Sequence, residues 1–593
     1  MPAPADLVLA NARVLTLDAA RPSAEALAVR AGRILAVGAW AELRALVGPA
    51  TEVVDAAGGV AVPAFHDAHL HLLRYARART RLDCRGARSI AELRRALAAH
   101  ARALPPGAWL RAGGYDEARL DERRHPDRHD LDAAVPDRPV RLQHRSLHLD
   151  VLNTAALRAL GLLDGPAPLV ERDPTTGEAT GRLYHAAALL RARLPRPSEA
   201  ELAATVRRAS DRLLAWGVTS VQDASHTNGP AEWALFRRLA ARGALGVRLF
   251  MMPGALTLTL SQGERENDAL TLALSQGERG PEALSRARSR WQKGAGALTL
   301  ALSQGERGTG TRPLACAQGE REGAGWRRVL LGPVKIMLDE GTSEPAGVRA
   351  AVAAAHAAGH AVAIHAVSEA EVALALDALG GARGRGPGAG GGWSGDGGLG
   401  HSVLARAPRS TGALLGAGPS AAAPDRIEHG AVIADEWLPQ LRALGVMVVG
   451  QPALVAERGD VYRAAYPPEA HGWLHRAGSL LRAGVGYAAG SDAPVTEPAP
   501  GLGLAAARER RAPDGAVLGA AERLGLAEAL AVFTLGPART VGAAHALERL
   551  RPGLLADIAV LDPETLEATS GEAAGRPARL TVLEGRVVWR RRS

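Results

Sequence analysis

Between residues 61 and 545 the chain alternates short apolar runs with Ala/Leu/Arg-rich segments of helical length. The apolar runs are Val60-Ala-Val62, Val140-Arg-Leu142, Thr219-Ser-Val221, Gly246–Phe250, Gly332–Met337, Ala361-Val-Ala-Ile364, Arg426-Ile-Glu428, Val446–Val449 and Val485–Ala489. Helices are predicted over 90–103, 199–216 and 347–358, with Ser198 placed to N-cap the second. Strand–helix alternation implies a parallel sheet, because parallel neighbours need a long crossover between them. The expected fold class is therefore α/β.

The two ends read differently. Residues 5–60 hold short β-type runs, Asp6–Ala10, Arg13–Leu17, Ala26–Arg30 and Arg33–Val37. Asn11-Ala12 and Ala31-Gly32 are expected hairpin turns between them. The C-terminal end repeats the style at Ala556–Leu561, Leu580–Leu583 and Arg586–Trp589. One small sheet domain built from both termini, 1–60 with 546–593, is expected around a middle domain at 61–545.

That middle is long for one barrel-sized unit. Two insertions account for the excess. In the first, 254–325, Gln-Gly-Glu-Arg units begin at 262, 276, 304 and 318, a decayed 14-residue repeat. This period is shorter than solenoid repeats, and the segment reads as tolerated low-complexity sequence, since long surface insertions cost little closure entropy. The second, 381–423, is Gly-rich and reads as a flexible insertion. Setting both aside leaves about 370 residues, which suits one elaborated barrel.

The net charge of +9 comes from 71 Lys+Arg against 62 Asp+Glu, with carboxylates interleaved, as in Arg119-Leu-Asp-Glu-Arg-Arg124. No basic block alternates with aromatics, so a nucleic-acid partner is not expected. No run of 18 apolar residues suggests a membrane helix. Met1–Asp6 lacks the basic region and apolar stretch of a secretory leader, and the cytoplasm is the expected location. Two cysteines exclude a disulfide framework.

Metal-capable residues recur at strand ends. His69 and His71, in Phe65-His-Asp-Ala-His-Leu-His71, are two apart and share one face of an extended segment, and the preceding Val60-Ala-Val-Pro63 is expected to supply the buried strand that ends there. His365 ends Ala361–Ile364, His429 ends Arg426–Glu428, and Asp492 follows Val485–Ala489. Any one could be a hydrogen-bonded core residue; four strand ends sharing the setting argue against coincidence, because barrel chemistry gathers at C-terminal strand ends. Only two of the 71 basic residues are lysines, Lys293 in the repeat and Lys335 inside Val329–Leu338. An ammonium in an apolar run needs a partner or a use. The readings open for Lys335 are a buried salt bridge, a Schiff base, or a carbamate formed with CO2.

The ordered set His69-Leu-His71, Lys335, His365, His429 and Asp492 resembles the amidohydrolase superfamily, in its amidohydrolase-3 branch. Gly113-Gly-Tyr-Asp-Glu117, Pro136–Val140, His148 with Asn153–Leu157, Gly217–Val221, Asp223 and Arg551–Ile558 support the resemblance. It implies a (β/α)8 TIM-type barrel with a small composite β-sandwich domain built from both termini, and one or two divalent metal ions, with zinc expected. His69, His71 and Asp492 would hold one ion, His365 and His429 the second, and a carbamate on Lys335 would bridge them. In a one-ion variant His429 would orient the attacking water instead. Asp492 would act as the proton-transferring group. Tyr115, Asp116, Arg145, His148 and Asn153 would bind a small-molecule amide, with His148 or Tyr115 assisting at the oxyanion. The implied activity is hydrolysis of a non-peptide C–N bond in an amide, N-acyl amine or N-formyl amine, and a homodimer is compatible with it. Cyclic amide hydrolysis, deamination and an inactive scaffold disrupted by the 254–325 insertion stand as alternatives. The chain departs from the pattern at Pro63-Ala64, at His66, at Ala366–Glu369 and at Glu340, which bears on the substrate more than on the ligands. His66 is expected either to support the ligand pair from behind or to be structural.

Overall fold

The computed structural model describes residues 4–105, 107–145, 149–164, 169–184, 186–195, 197–255, 328–338, 343–382, 423–547, 549–569 and 571–592. The repeat from 256 onward, nearly all of the Gly-rich insertion, Lys293, Glu340 and His148 lie outside them. The chain divides into two compact units, Met1–Leu72 with Ser210–Ser593, and Leu73–Ala209. The expectation of one unit across 61–545 missed this division, because the strand–helix rhythm does not change at its borders.

In the first unit, two all-parallel sheets carry the strands read from the middle of the sequence. One has the order Val329–Leu331, Arg248–Met251, Val218–Asp223, Phe65–Leu70; the other runs Val334–Ile336, Val362–Ala366, Arg426–His429, Met447–Gly450, Gly486–Ala489. Parallel bridges join them at two places, Leu70 to Ala493 and Gly254 to Lys335. These strands are buried on both faces, which is why they read as continuous apolar runs.

The chain ends form two further sheets. Arg33–Gly38, Ala26–Arg30, Leu7–Ala10 and Glu52–Asp55 make one; Arg586–Arg590, Leu580–Leu583, Ile558–Leu561, Val60–Pro63, Arg13–Leu15 and Ser23–Ala24 make the other. Leu7, Leu9, Leu27, Val29 and Ile34 of the first share a core with Val14, Ile558, Val560, Leu580 and Val582 of the second. The alternate residues Val8, Ala26 and Ala28 pack instead with Leu43 of the short helix Trp40–Leu43. Ala31 and Gly32 both take positive φ, 50° and 76°, the geometry of a two-residue hairpin turn whose twist suits its strands.

Two local expectations fail here. Asn11-Ala12 is not a hairpin turn, since Leu7–Ala10 and Arg13–Leu15 belong to different sheets. Val60–Pro63 does not lead into the site as one strand; it pairs with Ile558–Leu561 and Arg13–Leu15, and a separate strand, Phe65–Leu70, delivers the histidines. The apolar character of Val60–Pro63 reflects burial, which periodicity cannot assign to a particular sheet.

The second unit has one mixed sheet of six strands, in which Val140–His144 pairs parallel with Leu110–Tyr115 and antiparallel with Leu149–Leu152. Val140–Leu142 is thus not a strand of the parallel sheets of the first unit. Helix Ile90–Arg102 buries Ile90, Leu93, Leu97 and Ala101, the spacing of one helical face. In helix Glu199–Ala215 the Ser198 hydroxyl accepts from Glu201 N at 3.2 Å, and the Glu201 carboxylate accepts from Ser198 N at 2.8 Å, a capping box. No helix among the described residues is long and apolar enough to cross a membrane.

Candidate metal centre

His69, Lys335, His365, His429 and Asp492 all sit on or just beyond the strands of the two parallel sheets. Asp492 N donates to the His69 carbonyl at 2.6 Å, locking the segment after Gly486–Ala489 against Phe65–Leu70. The approach is close enough to require glycine at 490, where a Cβ would meet His69 N at 2.6 Å. Asp67 ties the same two segments together: its Oδ1 accepts from His69 N at 3.1 Å and from Ser491 N at 3.0 Å. Burial pushes the Asp67 carboxyl up to about 6.

The donor atoms of His69, His71 and Asp492 lie within 4.8 Å of one another. His71 Nε2 is 3.2 Å from Asp492 Oδ1, and His69 Nε2 is 3.6 Å from it. Ligands about 2.0–2.1 Å from a tetrahedral zinc ion stand roughly 3.3 Å apart, so this spacing fits one ion with little movement. The remaining imidazoles are adjacent: ring centroids are 4.8 Å apart for His69–His429 and 4.6 Å for His365–His429. His429 and Asp492 both have positive φ, 71° and 54°, a conformation costly for non-glycine residues and concentrated at functional sites.

Neighbouring side chains orient the imidazoles. His69 Nδ1 is hydrogen-bonded to the Glu428 carboxylate. His429 Nδ1 is 3.0 Å from Gln451 Oε1, and His71 Nδ1 is 3.0 Å from Ser225 Oγ. Each contact occupies Nδ1 and leaves Nε2 for the centre. Ser225 is held in turn by Asp223, whose carboxylate also accepts from Leu72 N and Asn228 Nδ2. Glu428 is paired with Arg426, which also donates to Gln222 and to the Ala68 carbonyl. Burial lowers His69 to about 3 and His365 to about 2, and lowers His429 as well, so these rings are neutral donors at neutral pH. Burial opposes ionisation of Asp492, but the His71 hydrogen bond and the nearby imidazoles hold its carboxyl below the usual range.

Lys335 is 2% exposed, and its Nζ has no hydrogen-bond partner among the described residues. The salt-bridge reading therefore finds no support. Burial lowers this amine to about 8, partly offset by the charge of Glu428.

The described residues among the expected substrate contacts, Tyr115, Asp116, Arg145 and Asn153, belong to the second unit. Asn153 is overturned as a substrate contact. It is fully buried; its Oδ1 accepts from Val140 N and Ala156 N, and its Nδ2 donates to the Val135 and Arg138 carbonyls. Its hydrogen-bonding capacity is spent on capping helix Thr154–Ala159 and tying it to the sheet. Tyr115 is 1% exposed, with its hydroxyl 3.2 Å from His125 Nδ1. Asp116 caps the turn Glu117–Arg119 and lies 3.4 Å from the half-exposed Arg145. His66 stacks on Phe250 at 5.3 Å and contacts Gln222, a packed interior position. Sequence reasoning missed Glu428, Arg426, Gln451, Asp67 and Ser225. The signal for the first two was a pair of charges inside the apolar strand Arg426–His429.

Parallel strands thus bring histidines and a carboxylate together at their ends, an arrangement able to hold a metal ion. The chain belongs to the amidohydrolase family, whose model matches residues 52–589. It is 35% identical to the N-substituted formamide deformylase of Arthrobacter pascens over 260 residues, 42% of this chain and 47% of that protein. It is 30% identical to the protein LONG AFTER FAR-RED 3 of Arabidopsis thaliana over 224 residues, 37% of this chain and 38% of that protein. The chain thus spans under half the length of either relative. Among solved structures, a metal-dependent hydrolase from Pyrococcus horikoshii OT3 superposes with a TM-score of 0.65 at 22% identity, covering 95% of this chain and 98% of that one. A zinc-bound adenosine deaminase from Xanthomonas campestris gives 0.51 at 14% identity, covering 99% and 93%. At these identities the likeness is one of fold.

Proposed function

We propose that this chain hydrolyses a C–N bond in a small amide, an N-acyl or N-formyl amine, at a centre of one or two divalent ions, zinc being the expected metal. Convergence of His69, His71 and Asp492 within 4.8 Å is the observation that carries the reading. These three residues would hold one ion, and His365 and His429 the second. Lys335, buried with an unpartnered amine, fits a bridging carbamate: its nitrogen bonds the carbon of CO2 and loses a proton. We read the eight parallel strands from Phe65–Leu70 through Gly486–Ala489, with Val329–Leu331 outside the ring, as a closed barrel. The two sheets of the chain ends are read as its composite β-sandwich.

An ion held there supplies Lewis acidity, polarising a carbonyl oxygen and lowering the pKa of a water to about 7. The protein's own part is proton transfer and positioning. Asp492, ionised in the resting site, takes a proton as the water oxygen bonds the carbonyl carbon. It returns that proton to the nitrogen as the C–N bond breaks. Glu428 and Gln451 keep the His69 and His429 tautomers fixed through this cycle. In a one-ion form, His429 is placed to orient the water.

Metal content and turnover of an amide panel in Lys335→Ala test the reading. Expected are loss of metal and a fall in turnover of at least about 100-fold. Lys335→Arg keeps the charge but does not form the carbamate, and should behave like Lys335→Ala. Unchanged metal and activity in both would overturn the bridging role. Wild-type protein with stoichiometric metal and no turnover on any amide would overturn the activity.

A further inference from the structure

The second unit holds another group of metal-capable side chains. Glu117, His125 and His144 present donor atoms within 4.8 Å of one another. The sheet brings them together: Leu110–Tyr115 and Val140–His144 are parallel neighbours in register at Tyr115 and His144. His144 is the last residue of its strand, Glu117 follows the end of the other, and His125 returns just before Pro126. Two parallel strands thus end together with an imidazole and a carboxylate facing each other, as at the metal centre of the first unit.

His144 Nε2 is 2.6 Å from Glu117 Oε2, and His125 Nδ1 is 3.7 Å from the same oxygen. These separations bracket the roughly 3.3 Å expected between ligands of a tetrahedral zinc ion, so sub-ångström adjustments would complete the set. The rings already fan around a common point, with the His125 and His144 planes at 84° and centroids 5.4 Å apart. The Tyr115 ring stands edge-on to both, at 6.0 Å and 5.2 Å, and walls one side. Glu117 Oε2 is shielded from solvent, although the Glu117 side chain as a whole is 34% exposed, which leaves a route of entry. His125 Nδ1 also meets the Tyr115 hydroxyl at 3.2 Å, a contact that a bound ion would displace.

We propose that Glu117, His125 and His144 form a second, independent site for a zinc-class divalent ion, bound by two imidazoles and one carboxylate with the fourth position open to water. The donor set matches the borderline nitrogen–oxygen chemistry such ions prefer over Ca2+ or Mg2+, which take all-oxygen sets. The ion would clamp the two strand ends and fix the turn that carries Asp116.

The test is Zn2+ uptake by the full chain, counted per chain by elemental analysis after removal of free metal. Glu117→Gln, and separately His125→Gln with His144→Gln, should each lower the count by one ion. A chain with His69→Asn and His71→Asn should keep this ion while losing metal at the proposed active site. Adding Glu117→Gln to that variant should remove it. The two sites are thereby read separately, and failure of one reading leaves the other intact. Diethylpyrocarbonate labelling of His125 and His144, read by mass spectrometry with and without Zn2+, gives a second measure that needs no substitution; protection by Zn2+ is expected. Equal Zn2+ counts in wild type and Glu117→Gln, or no Zn2+ protection of either histidine, would overturn the proposal and leave a plain histidine–carboxylate contact.

Discussion

His69 on strand Phe65–Leu70 is hydrogen-bonded through Nδ1 to Glu428, a carboxylate 359 residues further along the chain on strand Arg426–His429. Both side chains are essentially without solvent exposure. The contact fixes which nitrogen of His69 faces Asp492. Arg426, also fully buried, neutralises the carboxylate that does so.

Glu428→Gln tests that orientation. The amide keeps the shape and loses the charge, so divalent metal affinity should fall about 10–100-fold, as for other partners of ligating histidines. Equilibrium dialysis measures it. An unchanged dissociation constant would show that Glu428 serves Arg426 alone.

Asn153→Ala should behave as a stability variant. Removing the amide leaves Val140 N, Ala156 N and two carbonyls without their partner, costing about 1–3 kcal/mol. Urea unfolding should record that loss while KM for an amide substrate stays constant. A raised KM with unchanged stability would restore Asn153 as a substrate residue.

Arg248 joins a parallel strand to the sheet that includes the C-terminal strands. It donates to Asp557 at 2.9 Å and Glu584 at 2.7 Å, all three buried. Arg248→Leu would strand two carboxylates in the interior and should destabilise the protein by about 3–5 kcal/mol. Denaturant unfolding of the metal-free protein would read the change; a loss below about 1 kcal/mol, the scale of exposed pairs, would contradict the buried triad.

Asp562 gives an acid limit. Hydrogen bonds from Arg591 and Arg579, opposed by burial, hold its carboxyl down at about 2. A folded-state value below the unfolded one means that ionisation favours folding. The contribution, about 2 kcal/mol, is present above roughly pH 4 and is lost as pH falls toward 2. In Asp562→Asn that part of the acid dependence should vanish. Stability profiles between pH 5 and 2 that run parallel in variant and wild type would rule the linkage out.

The sequence by itself determined the residues of the candidate centre. Histidines, an aspartate and a rare lysine at the ends of apolar runs stand out because burial of such groups is costly without a use, and strand ends can be read from local patterning. It also determined the parallel strands and the β character of both chain ends. Tertiary structure alone decided which strands share a sheet, and so moved Val60–Pro63 away from Phe65–Leu70 and placed Val140–His144 in a separate unit. It alone paired His69 with Glu428 and filled every hydrogen-bonding position of Asn153. The physical reason is that hydrophobic periodicity reports how deeply a segment is buried, not against what. A charged or amide side chain inside a buried strand signals only that a partner exists, and folding brings that partner from hundreds of residues away.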